Sequence, residues 1–145
     1  MKLTLNDKFS EEEFYKFVIR QKMIVHEDGI LFVYRQSEGS WIRVEDSDKI
    51  KMVLNKFIPS NKRAGIKPVA IDNAVRKLKC DPDIYIYINL SKRAEANKEF
   101  LNVLNGLIDL KTGKLMKHDP NRYFTYCLKF NYEPHHDITE SDAFT

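Results

Sequence analysis

Three groups of residues in this chain have types and spacings that could do chemistry. Asp81-Pro82-Asp83 sets two carboxylates close together, a pairing that can hold two Mg²⁺ ions for phosphoryl or nucleotidyl transfer. Such a pair works best at the end of a rigid strand, flanked by further acidic and histidine ligands. Here it falls between a helix pattern and a strand pattern, where Asp-Pro-Asp is ordinary turn chemistry. His135-His136-Asp137, with His118-Asp119 as a remote contributor, supplies transition-metal ligand types. Adjacent histidines in an extended segment point to opposite sides, however, which favours a solvated tail. No metal and no cofactor is expected. The third group is basic: Lys62, Arg63 and Lys67 in a loop, Arg76, Lys77 and Lys79 on or near the exposed side of the helix that follows, then Lys92 and Arg93. With Tyr85 or Tyr87 these could follow a phosphate backbone while a ring stacks on a base. The plainer alternative keeps both tyrosines in a sheet and leaves the lysines as solubility charges. Lys111, Lys114 and Lys117 decorate a later hairpin and could probe a groove.

Other chemistries lack their signatures. No Gly-x-x-x-x-Gly-Lys-Ser/Thr occurs, and the five glycines form no phosphate-cradling loop, so ATP hydrolysis by the helicase mechanism is not expected of this chain. No local nucleophile–base pattern stands out. Cys80 and Cys127 lie far apart without metal-type spacing, which predicts buried, reduced thiols in a cytoplasmic protein. The N-terminus has no apolar signal core, and no apolar run approaches the roughly 20 residues of a membrane span. Net charge is +3, unevenly spread. Residues 51–117 hold 14 basic against 6 acidic side chains, while both flanking blocks are net acidic. A basic middle is a cue for a polyanion partner, although lysine-rich solvated helices give the same statistic.

The elements that would position these groups are legible. Ser10 can cap a helix carrying Glu11, Glu12 and Glu13 in its first turn, with Phe14, Phe17, Val18 and Met23 as its buried stripe. Asp28-Gly29 turns the chain into a strand at Ile30–Arg35, and Ser37–Ser40 returns it as Trp41–Val44. Asp46, Ser47 or Asp48 caps a second helix with Ile50, Val53, Leu54 and Phe57 on one face. Pro68 starts a third, with Val69, Ile71, Ala74, Val75 and Leu78 facing inward. Ile84–Ile88 alternates as a strand. Ser91–Asn97 is polar with some helical character, and Phe100–Leu104 leads into a second hairpin. There Leu107, Ile108 and Leu110 meet Lys111–Lys114 and return through Leu115 and Met116. Gly113 supplies the positive φ of that turn. Arg122–Phe130 reads as one more strand. Trp41, Phe57, Leu78, Ile86, Leu110 and Phe124 are expected in the core. The fold class is α+β: two hairpins plus one or two further strands against three to four helices, in one domain.

The second hairpin and its continuation also carry a resemblance. Asn105, Gly106, Asp109, Leu110, Thr112 and Gly113, then His118, Pro120, Tyr123, Phe124, Thr125, Tyr132 and Pro134, match the pattern of the D5 N-terminal-like domain. The earlier hairpin, with Gly39 and Trp41, resembles that family's usual opening. The resemblance implies a domain that precedes the superfamily 3 helicase core in phage, plasmid and poxvirus primase-helicases. Asn105, Gly106, Asp109 and Thr112 are expected to be architectural. The implied organisation is an N-terminal helical segment (1–29), the D5 N-terminal-like domain (30–134) and a polar tail or linker (135–145), either excised from a longer protein or free-standing.

The function so implied is a non-catalytic accessory domain acting in DNA replication. Its partners would be single-stranded or forked DNA, the helicase motor domain of a longer protein, and a homo-oligomer as a further option; no membrane is expected. Two alternatives stay open: a protein-interaction or oligomerisation module, and a metal-dependent nucleotidyl-transfer enzyme built on Asp81 and Asp83.

Overall fold

The computed structural model describes residues 10–59, 66–86, 92 and 96–134. Among the described residues, three α-helices and two three-stranded antiparallel sheets give the α+β fold that the patterning predicts. The chain gathers into two compact units, Met1–Tyr34 with Ile42–Asn89, and Arg35–Trp41 with Leu90–Thr145.

The first unit opens with α1 (Glu11–Arg20), where Ser10 Oγ accepts the Glu13 N–H at 3.1 Å and three glutamates occupy the positive end of the helix dipole. Phe14 and Val18 are its buried residues. The predicted continuation to Met23 does not occur, because Lys22 takes a left-handed φ of 54° and sends the chain into β1 (Ile24–Glu27). The two-residue Asp28–Gly29 turn then pairs β1 antiparallel with β2 (Ile30–Arg35), and β3 (Ser40–Val44) completes the sheet in the order β1-β2-β3. The first two residues of β3 belong to the second unit.

Asp46 caps α2 (Ser47–Phe57) through the Asp48 N–H at 2.8 Å. Pro68 stands in the first turn of α3 (Pro68–Leu78), as predicted. Ala70, Ile71, Ala74, Val75 and Leu78 are the buried face of α3, which packs against α1, α2 and β1. Val69, predicted to face inward, is exposed. At about 100° per residue it lies roughly 200° round from Ile71, off the stripe that Ile71, Ala74, Val75 and Leu78 define. Phe14, Val18, Ile24, Leu31, Ile50, Leu54, Ile58, Ile71, Ala74, Val75 and Leu78 form one core. Each fully buried leucine or isoleucine there contributes about 1.5–3 kcal/mol.

The predicted strand at Ile84–Ile88 is only partly one. Asp81 caps a 3-10 turn over Pro82–Ile84, and then Tyr85 bridges to His26 while Ile86 N–H donates to His26 O at 2.9 Å. Residues 87 and 88 lie outside the described residues.

The second unit is built on a meander: β4 (Phe100–Val103), β5 (Gly106–Asp109) and β6 (Leu115–Met116), in the order β4-β5-β6. The approach to the hairpin is thus a strand in its own right, registered Phe100↔Asp109 and Val103↔Gly106. A Cβ on Gly106 would stand 2.1 Å from Met116 O, so only glycine lets β5 and the β6 backbone approach this closely. Leu110, predicted as core, is half exposed. It lies one residue past the end of β5, beyond the stretch in which Leu107 and Ile108 are both buried. The predicted strand over Arg122–Phe130 is also replaced. A 3-10 turn at Pro120–Arg122 ends in left-handed Tyr123, and the extended chain beyond meets β4 through one parallel bridge, Val103↔Leu128.

Candidate nucleic-acid interface

Of the eight predicted contact residues, Lys62, Arg63 and Arg93 lie outside the described residues. Lys67 is the exposed N-cap of α3 and makes no side-chain capping bond. Arg76, Lys77 and Lys79 are exposed at the opposite end of the helix. Helical geometry places Arg76 opposite the buried stripe, with Lys77 and Lys79 on its two flanks. The helix therefore gathers three cations at its C-terminal turn and holds Lys67 roughly 14 Å away along its axis. Lys92 is exposed and belongs to the second unit.

The cations of this turn are unequal. Among the described residues, no carboxylate lies within salt-bridge distance of Lys67, Arg76 or Lys79. Lys77 instead stands over the Tyr15 ring, 5.4 Å from its centroid. It also helps Lys16 hold the Glu12 carboxyl below its ordinary range, the Lys16 hydrogen bond being the larger cause. Cations at a helix C-terminus also complement the dipole, so their placement has a structural use as well.

Tyr85 is committed within the first unit. Its hydroxyl donates to Asp28 Oδ1 at 3.0 Å and its ring meets His26 edge-on at 5.2 Å. Tyr87 lies outside the described residues. Asp81 uses both carboxylate oxygens: Oδ1 accepts the Asp83 N–H at 2.9 Å and Oδ2 accepts the Tyr15 hydroxyl at 2.5 Å. Burial, and then that hydrogen bond, push the Tyr15 phenol well above its ordinary pKa. The Gly29 N–H donates to His26 Nδ1 (3.4 Å), so Nε2 carries the proton and donates to Asp81 O at 2.8 Å. Asp81 thus joins α1, β1 and the 3-10 turn. No three His, Cys, Asp or Glu side chains converge into a metal-binding group among the described residues. Cys80 is exposed and Cys127 half-buried, both free thiols, so neither is the fully buried thiol predicted.

In the second unit the residues that carry the resemblance hold the fold. Trp41 N–H donates to Phe124 O at 2.7 Å, and its indole N–H donates to Pro120 O at 2.9 Å. His118 Nε2 donates to Val103 O at 2.7 Å, and its ring fills the space beside Gly39, where a Cβ would stand 2.3 Å from it. Asn102, fully buried on β4, donates to Glu38 O (2.8 Å), Gly39 O (3.3 Å) and Tyr126 O (2.7 Å). Asp109 Oδ1 accepts the Lys111 N–H and Thr112 Oγ1 accepts the Lys114 N–H, which shapes the turn at Gly113 (φ 71°). Lys111 is paired with Glu99 at 3.1 Å, while Lys114 and Lys117 are exposed.

One feature of this unit has no counterpart in the sequence reading. A cavity of about 140 Å³ opens between β4 and the chain after Pro120, lined by Phe100, Tyr123, Thr125 and Tyr126 with Asn97 and Lys98. Arg122 lies over the Phe100 ring, 4.1 Å from its centroid. Tyr123 holds φ 53°, and its ring packs against Trp41 with centroids 5.4 Å apart. The dense aromatic run Tyr123–Tyr126 was the available signal, but periodicity assigns it to a strand.

No helix among the described residues is long and apolar enough to cross a membrane. No curated protein matches the chain at a significant level. The residues from Asn105 to Pro134 that carry the resemblance do so within a match that extends far beyond them: a family model described as D5 N terminal like covers residues 6–144, and the chain therefore belongs to the D5 N-terminal-like family.

Proposed function

We propose that this chain is a non-catalytic accessory domain of a primase-helicase-type protein that contacts DNA through the C-terminal turn of α3. The family is one of N-terminal domains of primase-helicase-type proteins, which supports the setting. The observation that carries the contact is the trio Arg76, Lys77 and Lys79, none of them with a carboxylate in salt-bridge distance among the described residues. Lys62, Arg63 and Lys67 extend the same basic segment in sequence, and Lys92 and Arg93 complete the proposed set.

The test is fluorescence anisotropy with labelled single-stranded, duplex and forked DNA at low and moderate salt. Each phosphate contact contributes about 0.7 to the salt slope on a single strand. Arg76→Glu with Lys79→Glu is expected to weaken binding on every sequence alike and to flatten that slope by one to two such steps. Unchanged affinity, with only a loss of helix stability, would leave these cations as dipole partners alone.

A second reading is a docking module. Leu110, Met116, Tyr126, Leu128 and Phe130 are large, exposed and all in the second unit, and exposed apolar groups of this kind favour protein contact. Light scattering decides for a second copy of the chain, since the mass would then be a multiple of 17.1 kDa.

A further inference from the structure

The cavity of the second unit is used neither by the α3 cations nor by the bonds that hold the signature residues in place. We propose that it is a stacking pocket for one unpaired nucleobase of a single-stranded nucleic acid, with Tyr126 and Tyr123 as the ring platform and Lys98 placed for the adjoining phosphate.

Size comes first. About 140 Å³ is well below the roughly 300 Å³ at which pockets for whole small molecules begin. It suits one flat ring system, with the rest of the ligand outside. The lining fixes the kind of ring: Tyr123 and Tyr126 offer aromatic surfaces and Thr125 a hydroxyl, while Asn97 is buried with its amide donating to Arg122 O and the Phe100 ring lies under Arg122. Lys98 brings a cation to that lining. An aromatic side chain of a protein partner would use the rings but neither the Thr125 hydroxyl nor the cation. A nucleotide uses all three, since base stacking on an aromatic ring combines with a cation on the backbone. A paired base already has both faces covered in its duplex, which restricts the pocket to unpaired positions.

The rings are also held in place. Tyr126 is 40% exposed, yet its ring meets buried Phe124 edge-on at 5.6 Å and 88°. Tyr123 keeps a left-handed backbone in which a bulky residue is strained, and that conformation sets its ring between Trp41 and the cavity. A glycine would hold the same cap without strain. Strain retained on an aromatic residue that lines a cavity points to a use for its ring. Arg122 covers the Phe100 ring and is itself paired with Asp119 at 3.7 Å.

The inference does not rest on α3, and the experiment separates the two. Trp41, the single tryptophan, adjoins Tyr123 and reports on the pocket. The full chain is titrated with a short oligothymidylate and with an abasic oligomer of equal length, following Trp41 fluorescence and anisotropy. The expected result is quenching by the base-bearing oligomer only. Tyr126→Ala is expected to weaken that oligomer about tenfold and leave the abasic one unchanged, and Tyr126→Phe, which keeps the ring, is expected to bind as the parent does. Charge reversal at Arg76 and Lys79 would weaken both oligomers together. Equal binding of the two oligomers, or Tyr126→Ala without effect, overturns the pocket while leaving the α3 contact standing. Binding of neither oligomer overturns both.

Discussion

Asn105 and Tyr132 are joined by two reciprocal hydrogen bonds: the Asn105 side-chain amide donates to Tyr132 O at 2.8 Å, and the Tyr132 N–H donates to Asn105 Oδ1 at 2.9 Å. An asparagine side chain carries both halves of a peptide's hydrogen-bonding pattern, so Asn105 acts here as a short piece of strand edge. The Tyr132 hydroxyl then donates to Gly113 O at 2.9 Å and closes the β5–β6 turn. Two hairpin turns and the departing chain are thereby locked together by residues up to 27 positions apart.

Asn105→Ala removes both bonds at an exposed site. At about 0.5–1.5 kcal/mol each, the expected loss is about 1–2 kcal/mol, seen as a lower denaturation midpoint. Hydrogen exchange should quicken at the Tyr132 amide. An unchanged Tyr132 exchange rate would show that the clasp does not hold in solution.

Gly39→Ala and Gly106→Ala test close approach. At Gly39 the new Cβ meets the His118 ring at 2.3 Å and at Gly106 it meets the Met116 backbone oxygen at 2.1 Å, each with positive φ. Clash and backbone strain together should cost about 2 kcal/mol or more at either site. Gly106 should be the more severe, because a backbone oxygen yields less than a side chain. Thermal melts of the two variants check the order.

The Tyr15–Asp81 pair makes stability fall in alkali. The Tyr15 pKa is raised above its ordinary value of 10.0, mainly by burial and then by the hydrogen bond to Asp81. Below that value the phenol is protonated in both folded and unfolded chains, and its contribution is fully present. Above it the unfolded chain ionises first, so stability declines as pH rises. Tyr15→Phe should cost about 1 kcal/mol at neutral pH and lessen the alkaline decline. Urea midpoints for both proteins between neutrality and pH ~11 measure the difference.

Asp81 is expected to behave as a cap. Asp81→Ala should lower stability by about 1–2 kcal/mol, and millimolar Mg²⁺ or Mn²⁺ should leave the parent's melting temperature unchanged. A metal-dependent rise that Asp81→Ala abolishes would return the nucleotidyl-transfer reading to contention, since a ligand selective for the folded state raises the melting temperature by mass action.

Local physics made much of this protein legible. Ser10 and Asp46 capped where short polar side chains before apolar periodicity should cap, Pro68 began α3, and Gly113 took the positive φ its turn requires. These outcomes depend on a few neighbouring residues and so survive in any tertiary context. Of the signature residues, Asp109 and Thr112 act within their own turn, whereas Asn105 and Gly106 act on Tyr132 and Met116.

What the sequence left undecided depends on residues far apart along it. Alternation made Ile84–Ile88 and Arg122–Phe130 look like strands. A strand also needs a partner edge in register, and among the described residues the stretches after the Asp81 cap and after left-handed Tyr123 pair only through the single bridges Tyr85–His26 and Leu128–Val103. The basic segment was visible as composition, but it is the length of α3 that separates Lys67 at its start from Arg76, Lys77 and Lys79 at its end. Alternation leaves Tyr85 either as a stacking ring or as sheet packing, and only the fold sets its hydroxyl on Asp28. The cavity was invisible for the same reason: Asn97 and Phe100 reach Tyr123 and Tyr126 only through the fold. Short-range conformational preference is written residue by residue, whereas side-chain convergence is a property of the packed chain.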